Sequence, residues 1–439
     1  MGLRVFDEQS NYVLFGDDSR IFLYENLGDS LRRFNSLEDS SELTRILSRV
    51  EIPVKKEVNL PEIRTLLREG PIGQLVLDIA NDCNMRCDYC IYSDLYPNER
   101  KFQKALFMEE DILRKALHFY LNRAGAEPKI TFYGGEPLIN FPMIEKAVSV
   151  CRELTSRDVS FSVATNGVLL KNQALDFLME NDFFLLVSLD GPKEVNDRFR
   201  CFPDGSGTYD IITHNLERIR ELDMQYYESN VSFNITLPDL DKTLEVFGFF
   251  ESEEILSRNK CFPHRLVPTI ALPSSLGWHG QSDELIEGYV QCVQSGKTVS
   301  EPLKGEFEPL LKWFRKRQND RLSGATWPGG MCVPGLKKLY VDPKGEFFMC
   351  EGYNSHQAIG NVDEGLDVEK ILRLVSTFTS IKNKLCSSCW AERLCYSCMA
   401  SAKDGLNNEI SVGGLSSFCP ILKDNILKTL YIEGRLTTH

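Results

Sequence analysis

Three thiols crowd into one short loop. In "NDCNMRCDYC" the cysteines Cys83, Cys87 and Cys90 are spaced C-x3-C-x2-C. A closed four-coordinate site needs a fourth ligand, and zinc sites usually find it by joining two short cysteine pairs, or a pair and histidines. The same three thiolates suit a [4Fe–4S] cluster with one iron left open, and an open iron can bind a substrate or cofactor. A second group lies far downstream. Cys332 and Cys350 are set as C-x12-G-x4-C around Gly345, with "DPKGE" as a hairpin turn that brings the pair together across a β-ribbon. Cys386, Cys389, Cys395 and Cys398 follow in "CSSCWAERLCYSC", and Cys419 in "SSFCP" closes the series. On composition alone, one or two zinc sites in a ribbon-like tail fit this segment too.

Bulk properties narrow the setting. A chain of 439 residues exceeds one ordinary core and suits a large domain with smaller attachments. Apolar residues make up 42%, enough for a well-packed protein. The net charge of −13 argues against general nucleic-acid binding, which wants a basic surface. The first residues show no basic-then-apolar pattern, and no apolar run reaches membrane-spanning length, so a cytoplasmic protein without membrane contact is expected. In a reducing compartment, metal or catalysis explains fourteen cysteines better than disulfides do. With only six histidines, ligation should be all-thiolate, which favours iron–sulfur clusters or zinc.

The elements that must position these thiols are legible in outline. "NYVLFGDDSRIFLYEN" reads as a hairpin turning at Gly16, and "SSELTRILSRV" as a short helix. From residue 74 to about 272, β-branched runs alternate with amphipathic stretches. The strands are "QLVLDIA", "KITFYGG", "VSFSVATNG", "FFLLVSLDG", "SNVSFNITL" and "HRLVPTIAL", with five helices between them. That alternation predicts parallel strands with right-handed crossovers, closed as a partial barrel or open as a sheet, with the active face at the strand C-termini. Two helical stretches lie within residues 281–320, and the remainder reads as short, turn-rich and cysteine-rich.

Cys83, Cys87 and Cys90 therefore sit on the loop after the first strand. With Tyr89 before the third cysteine, "CNMRCDYC" resembles the hallmark of the radical S-adenosylmethionine (SAM) enzymes. The resemblance implies a partial (β/α)6 barrel in which SAM's amino and carboxylate groups fill the vacant iron site. An electron from the cluster then cleaves SAM to methionine and a 5′-deoxyadenosyl radical, which abstracts hydrogen from substrate. The hard chemistry belongs to the cofactors. "YGGEP", Tyr133 to Pro137, resembles the motif that binds the SAM amino group: Gly134 and Gly135 let backbone approach a ligand, Glu136 supports the loop, and Pro137 ends it. Asn166 in "ATNG" and Ser188 in "SLDGP" would point at the ribose or carboxylate of SAM, with polar strand-end turns as the alternative. Arg200, in "SLDGPKEVNDRFR", would pair with a carboxylate.

The downstream cysteines resemble the SPASM extension of that family, apart from two residues rather than three between Cys395 and Cys398. The resemblance implies two auxiliary [4Fe–4S] clusters: an outer one on Cys386, Cys389, Cys395 and Cys419, and an inner one on Cys332, Cys350 and Cys398. Some relatives have a further inner ligand just upstream; "RLSGATWPGGM" has none. An open inner iron suggests a substrate thiolate, hence thioether formation on a peptide, as in the sactipeptide and ranthipeptide synthases. Glu351, directly after Cys350, stands where relatives that oxidise serine or cysteine side chains keep a general base. Cys292 lies on an apolar helix face and reads as packing.

The implied organisation is a small α+β domain over residues 1–70, a radical SAM barrel over 71–280, a helical bridge over 281–325 and a SPASM domain over 326–439. The first unit would dock the leader of a ribosomally made precursor peptide by strand addition. Flavodoxin or ferredoxin would supply electrons. The competing expectations are carbon–carbon or carbon–oxygen crosslinking, oxidation of a sulfatase cysteine to formylglycine, and a zinc-stabilised interaction protein with no radical chemistry.

Overall fold

Side-chain alternation along the central strands organises the molecule. In the computed structural model of the chain, the described residues are the strands at 3–6, 12–16, 21–27 and 30–32, then 58–93, 106–237, 240–265, 283–319, 332–352, 357–387, 389, 391–392, 394–403 and 409–436. Strands β1 (Leu3–Phe6), β2 (Tyr12–Gly16), β3 (Ile21–Leu27) and β4 (Ser30–Arg32) form an antiparallel sheet in that order. The hairpin read at Gly16 is its β2–β3 pair. The helix read over residues 40–50 lies outside the described residues. Helix α1 (Leu60–Glu69) follows, its first turn capped by Asn59 Oδ1, which accepts the Glu62 N–H at 3.2 Å.

The central unit runs β5 (Leu75–Ala80), α2 (Glu110–Leu121), β6 (Lys129–Gly134), α3 (Phe141–Leu154), β7 (Ser160–Thr165), α4 (Asn172–Glu180), β8 (Phe184–Ser188), α5 (Lys193–Phe199), α6 (Tyr209–Leu222), α7 (Met224–Asn230), β9 (Val231–Leu237), α8 (Thr243–Ser252) and β10 (Lys260–Arg265). Each strand lies parallel beside its predecessor. Right-handed crossovers then put the helices on one face. The pattern of burial agrees. Ile130, Phe132, Val163, Leu185, Val187, Phe233 and Ile235 are buried, while their alternates Thr131, Ser162, Ser188, Ser232, Asn234 and Thr236 are only half-buried. The concave face is thus largely polar, with Ala164 and Leu186 among its apolar members. On it Gln74 Nε2 donates to Thr131 Oγ1 at 2.7 Å, and Thr131 and Ser162 share a 2.7 Å hydrogen bond.

The last strand starts earlier than expected. The sequence reading puts it at 264–272, the structure has β10 at Lys260–Arg265, and residues 266–272 lie outside the described residues. Pro263 inside it removes a ladder donor, which weakens the strand signal and is tolerated because β10 is the edge of its sheet. Helices α5 and α7 are too short for a helical period to show in the sequence.

The C-terminal part contains α9 (Asp283–Gln294), α10 (Glu301–Asn319), β11 (Leu339–Val341), β12 (Glu346–Phe348), β13 (Gly360–Asn361), β14 (Gly365–Leu366), α11 (Val368–Cys386) and α12 (Val412–Leu436). It is not uniformly turn-rich, as the sequence suggested. Helix α11 buries Ile371, Leu374, Val375, Phe378 and Ile381 on one face, and α12 continues through Pro420, a residue that normally marks a helix boundary. Strand β11 pairs parallel with β5, and β12, β13 and β14 follow antiparallel. The hairpin thereby extends the central sheet past its first strand. Among the described residues no helix is long and apolar enough to cross a membrane.

Candidate functional site

The loop after β5 is held from two sides. Cys83 N–H donates to Asp82 Oδ1 at 2.8 Å, and Cys90 N–H to the Cys87 carbonyl at 3.0 Å. On the other side Arg86 N–H donates to the Cys201 carbonyl at 2.8 Å, and Asp88 N–H to the Phe199 carbonyl at 3.0 Å. All three loop thiols are half-buried. Burial pushes Cys83 up to about 12, with the Glu136 carboxylate adding to it. Burial also pushes Cys87 up to about 11, against the pull of the Arg200 guanidinium. Thiols held this way bind metal with release of protons.

The Gly134–Gly135 pair lies against the backbone of the cysteine loop. A Cβ on Gly134, at φ +140°, would lie 2.5 Å from the Ala80 carbonyl oxygen; one on Gly135 would lie 2.2 Å from the Asp82 carbonyl oxygen. Gly135 N–H donates to the Ala80 carbonyl at 2.8 Å, and Glu136 N–H to the Asp82 carbonyl at 2.9 Å. The glycines thus admit the backbone of the cysteine loop itself.

Glu136 is fully buried and acts as a brace. Its Oε1 accepts the Leu138 N–H at 3.0 Å and the Thr165 hydroxyl at 2.8 Å, and its Oε2 accepts the Asn166 N–H at 2.7 Å. Burial raises the carboxyl to about 7 although those three donors oppose the shift. Asn166 continues the chain of contacts. Its Nδ2 donates to Asn84 Oδ1 at 2.7 Å and reaches Cys83 Sγ at 3.8 Å. Strand ends β6 and β7 therefore fix the first cysteine. Ser188 ends β8, half-buried on the concave face.

Half-buried Tyr89 and buried Asp190 and Arg200 close the opposite side. Tyr89 donates its hydroxyl to Asp190 Oδ2, and Arg200 Nη1 donates to that tyrosine oxygen at 2.8 Å. Asp190 Oδ1 accepts the Thr236 N–H at 2.9 Å, tying in β9. Arg200 thus meets a carboxylate, but one of the protein's own, and its Nε has no hydrogen-bond partner although it is buried. An unpartnered guanidinium N–H beside the cysteine loop suits a ligand carboxylate. Asp190, inside the "SLDGP" motif, is a site residue that the sequence reading passed over.

The downstream thiols fall into two groups. Burial raises Cys332, and raises Cys350 to about 12, and the Cys398 sulfur adds to both. Burial likewise raises Cys419, with Cys395 and Cys389 adding to it. Cys386, at the end of α11, shares with Cys395 the neighbourhood of Lys382. Glu351 lies in the first group. Its Oε1 accepts from Lys338 Nζ at 2.5 Å, and its Oε2 is buried with no hydrogen-bond partner. Tyr133 connects this group to the first loop: burial raises its hydroxyl, and Glu351, Cys90 and Asp78 add to it. Tyr340 of β11 donates to Asp78 Oδ2 of β5 at 2.7 Å, so the hairpin is pinned beside the loop.

The donor chemistry fits iron–sulfur clusters. Among the described residues no three His, Cys, Asp or Glu side chains converge closely enough for one metal ion. The donor set is rich in thiols, which suits iron–sulfur clusters or zinc.

Residues 77–246 match the Radical SAM superfamily. The chain carries a radical SAM domain. The match runs from β5 into α8 and includes the cysteine loop, Glu136, Asn166, Ser188, Asp190 and Arg200. The radical SAM domain is similar to the cysteine-type anaerobic sulfatase-maturating enzyme of Clostridium novyi, 26% identical over 42% of this chain and 49% of that enzyme. The chain spans about half the length of the sulfatase-maturating relatives it matches. The radical SAM cyclopropyl synthase TigE of Paramaledivibacter caminithermalis is 22% identical over 77% of this chain and 70% of its own. The fold is that of native anSMEcpe with bound AdoMet, at a TM-score of 0.62, 19% identity, 83% coverage of this chain and 99% of that one. It also matches Streptococcus suis SuiB bound to precursor peptide SuiA, at a TM-score of 0.52, 13% identity, 93% coverage of this chain and 99% of that one. The radical SAM assignment, the SPASM-type relatives and the partial barrel agree with the sequence reading.

Proposed function

We propose that this chain is a radical SAM peptide maturase that installs a cysteine thioether crosslink in a ribosomally made precursor peptide. The observation that carries the reading is the inner thiol group. Cys332, Cys350 and Cys398 share one neighbourhood, residues 321–331 contain no further cysteine, and the Glu351 carboxylate stands beside them with one oxygen unpartnered. Three thiolates leave a cluster corner for a substrate sulfur.

When bound, SAM and its cluster supply a carbon-centred radical, and the auxiliary clusters accept the spare electron. The chain's own residues hold and screen. Cys83, Cys87 and Cys90 would hold the SAM-binding cluster. Glu136 and Asn166 fix the Cys83 end of the loop, and Arg200 Nε takes the SAM carboxylate. Ser188, on the concave face, contributes to the same cofactor pocket. Glu351 Oε2 receives the proton of the incoming thiol, while Lys338 keeps Oε1 in place. Cys386, Cys389, Cys395 and Cys419 hold the outer cluster, for three [4Fe–4S] clusters in all. Residues 1–70 take the peptide leader along the edge of the β1–β4 sheet, residues 71–280 form the barrel, 281–325 bridge it, and 326–439 form the SPASM domain. A flavodoxin or ferredoxin is the electron donor. Thiols that ligate iron call for a reducing, cytoplasmic setting.

A second reading draws on the named relatives: oxidation of a sulfatase cysteine to formylglycine, with Glu351 as the base. Co-expression with a small cysteine-containing peptide encoded nearby, read by mass spectrometry, separates the two. A thioether lowers the mass by two hydrogens per link and blocks alkylation of the cysteine, whereas formylglycine gives a carbonyl that hydrazides label. Peptide cysteines that alkylate fully refute both. Brown, anaerobically purified protein with about twelve irons per chain is expected from three four-iron clusters; colourless zinc protein would end the enzyme reading.

A further inference from the structure

One cation stands inside the core among sulfur ligands. Lys382 lies on the buried face of α11, one turn before Cys386, with its side chain 0% exposed. Its Nζ pairs with Glu392 Oε2 at 2.9 Å and donates to Ser397 Oγ at 3.0 Å. The Glu392 carboxylate beside it keeps the ammonium charged. Ser397 is itself buried and meets Cys395 twice. Its N–H donates to Cys395 Sγ at 3.4 Å, and its Oγ lies 3.2 Å from that sulfur.

The direction of this relay follows from the chemistry of its members. An ammonium only donates, so Ser397 Oγ accepts from Lys382. A ligating Cys395 sulfur is a thiolate and only accepts, so the Ser397 hydrogen turns to it. The positive charge is thus delivered to the sulfur through an O–H···S bond. Structure alone does not call for such a group, because a buried ion pair is commonly no more stabilising than apolar side chains of the same volume.

We propose that Lys382, acting through Ser397, is a positioning residue that sets the reduction potential of the cluster held by Cys386, Cys389, Cys395 and Cys419. This rests on the reading of those cysteines as cluster ligands. Reduction adds one electron and one negative charge to the cluster, with no bond made or broken. A fixed cation and a hydrogen bond to a ligating sulfur favour the reduced form. Glu392 anchors the ammonium.

The test is a redox titration of the full chain, reconstituted anaerobically and reduced with dithionite, followed by electron paramagnetic resonance. The signal belonging to this cluster is the one missing from the Cys386→Ala/Cys389→Ala variant. Two variants are compared with wild type: Ser397→Ala, which leaves the ion pair intact, and Lys382→Met/Glu392→Met, which removes the pair without stranding either charge. Both are expected to keep wild-type iron and sulfide. In the double variant this cluster's equilibrium should shift at least tenfold towards the oxidised form, about 59 mV for one electron, with a smaller shift of the same sign in Ser397→Ala. Unchanged potentials with full iron overturn the proposal. So does loss of this cluster's iron in both variants, which would make the relay purely structural. Wild-type iron in the Cys386→Ala/Cys389→Ala variant is a different result: the cluster reading fails, and the proposal with it.

Discussion

Replacing Gly135 with alanine tests why a glycine directly follows β6. Gly135 is not among the glycines with positive φ, so alanine meets no backbone strain there and its cost is steric. The new Cβ would sit 2.2 Å from the Asp82 carbonyl oxygen, 2.7 Å from its carbon and 3.2 Å from Cys83 Cβ. Ordinary contact begins near 3.4 Å, so the Asp82 carbonyl must retreat by about 1.2 Å. That movement breaks the 2.9 Å bond from Glu136 N–H and carries Cys83 with it. Overpacking of this kind costs about 1–3 kcal/mol. The effect on ligation is sharper, because metal–ligand distances tolerate only about 0.2 Å. Gly135→Ala is therefore expected to lose about four of about twelve irons per chain, those of the radical SAM loop, and to keep the auxiliary clusters. Iron and sulfide analysis with electron paramagnetic resonance, with and without SAM, reads this directly, and dithionite-driven release of deoxyadenosine should vanish. Full iron with normal cleavage would refute the reasoning. Full iron with weakened SAM binding would refute it too, because the glycine would then serve the cofactor rather than the loop.

Glu136→Gln should reveal the raised carboxyl. Its folded value of about 7, against an ordinary 4.5, means the folded state keeps the proton across that window, so the contribution to stability is full below 4.5 and is lost as pH rises through 7. The stability gap between wild type and variant, measured by urea unfolding of the apo chain, should shift against wild type by about 3 kcal/mol from about pH 5 to about pH 9; a flat difference would contradict it. Arg200→Lys lacks the Nε donor and should weaken SAM binding at least tenfold by equilibrium dialysis while iron content holds; unchanged affinity removes Arg200 from the cofactor site. Glu351→Gln should leave SAM cleavage without peptide intact and slow peptide turnover about a hundredfold; undiminished turnover excludes it as the base. Tyr340→Phe removes the hydrogen bond to Asp78 and should cost about 2 kcal/mol in urea unfolding, with no cost if the hairpin is held by packing alone.

The five barrel strands from "QLVLDIA" to "SNVSFNITL" lie where the sequence puts them: β6, β7, β8 and β9 alternate buried with less buried residues, and β5 is a short apolar run buried throughout. The sixth starts four residues earlier than read, since Pro263 interrupts its pattern. Helix α11 shows a helical stripe that its cysteine-rich surroundings obscured, and Pro420 hid the course of α12. At the site, Glu136 was legible as loop support. The need for Gly135 was not, because the atom it avoids belongs to Asp82, which arrives from another strand end.

The sequence by itself determined the chemistry offered at the first site. Cys83, Cys87 and Cys90 lie on one short loop, and three thiolates that close in sequence need no distant partner to declare themselves. The strand–helix rhythm likewise arises from contacts between near neighbours. Only the tertiary structure joined Tyr89 to Asp190 and Arg200 across 101 and 111 residues, sorted the later thiols into two groups, set β11 against β5 and enclosed Lys382 beside Cys386. Each of these depends on segments meeting across long loops, where burial obliges a tyrosine hydroxyl, a guanidinium or an ammonium to find a particular partner, and local spacing carries no record of that meeting.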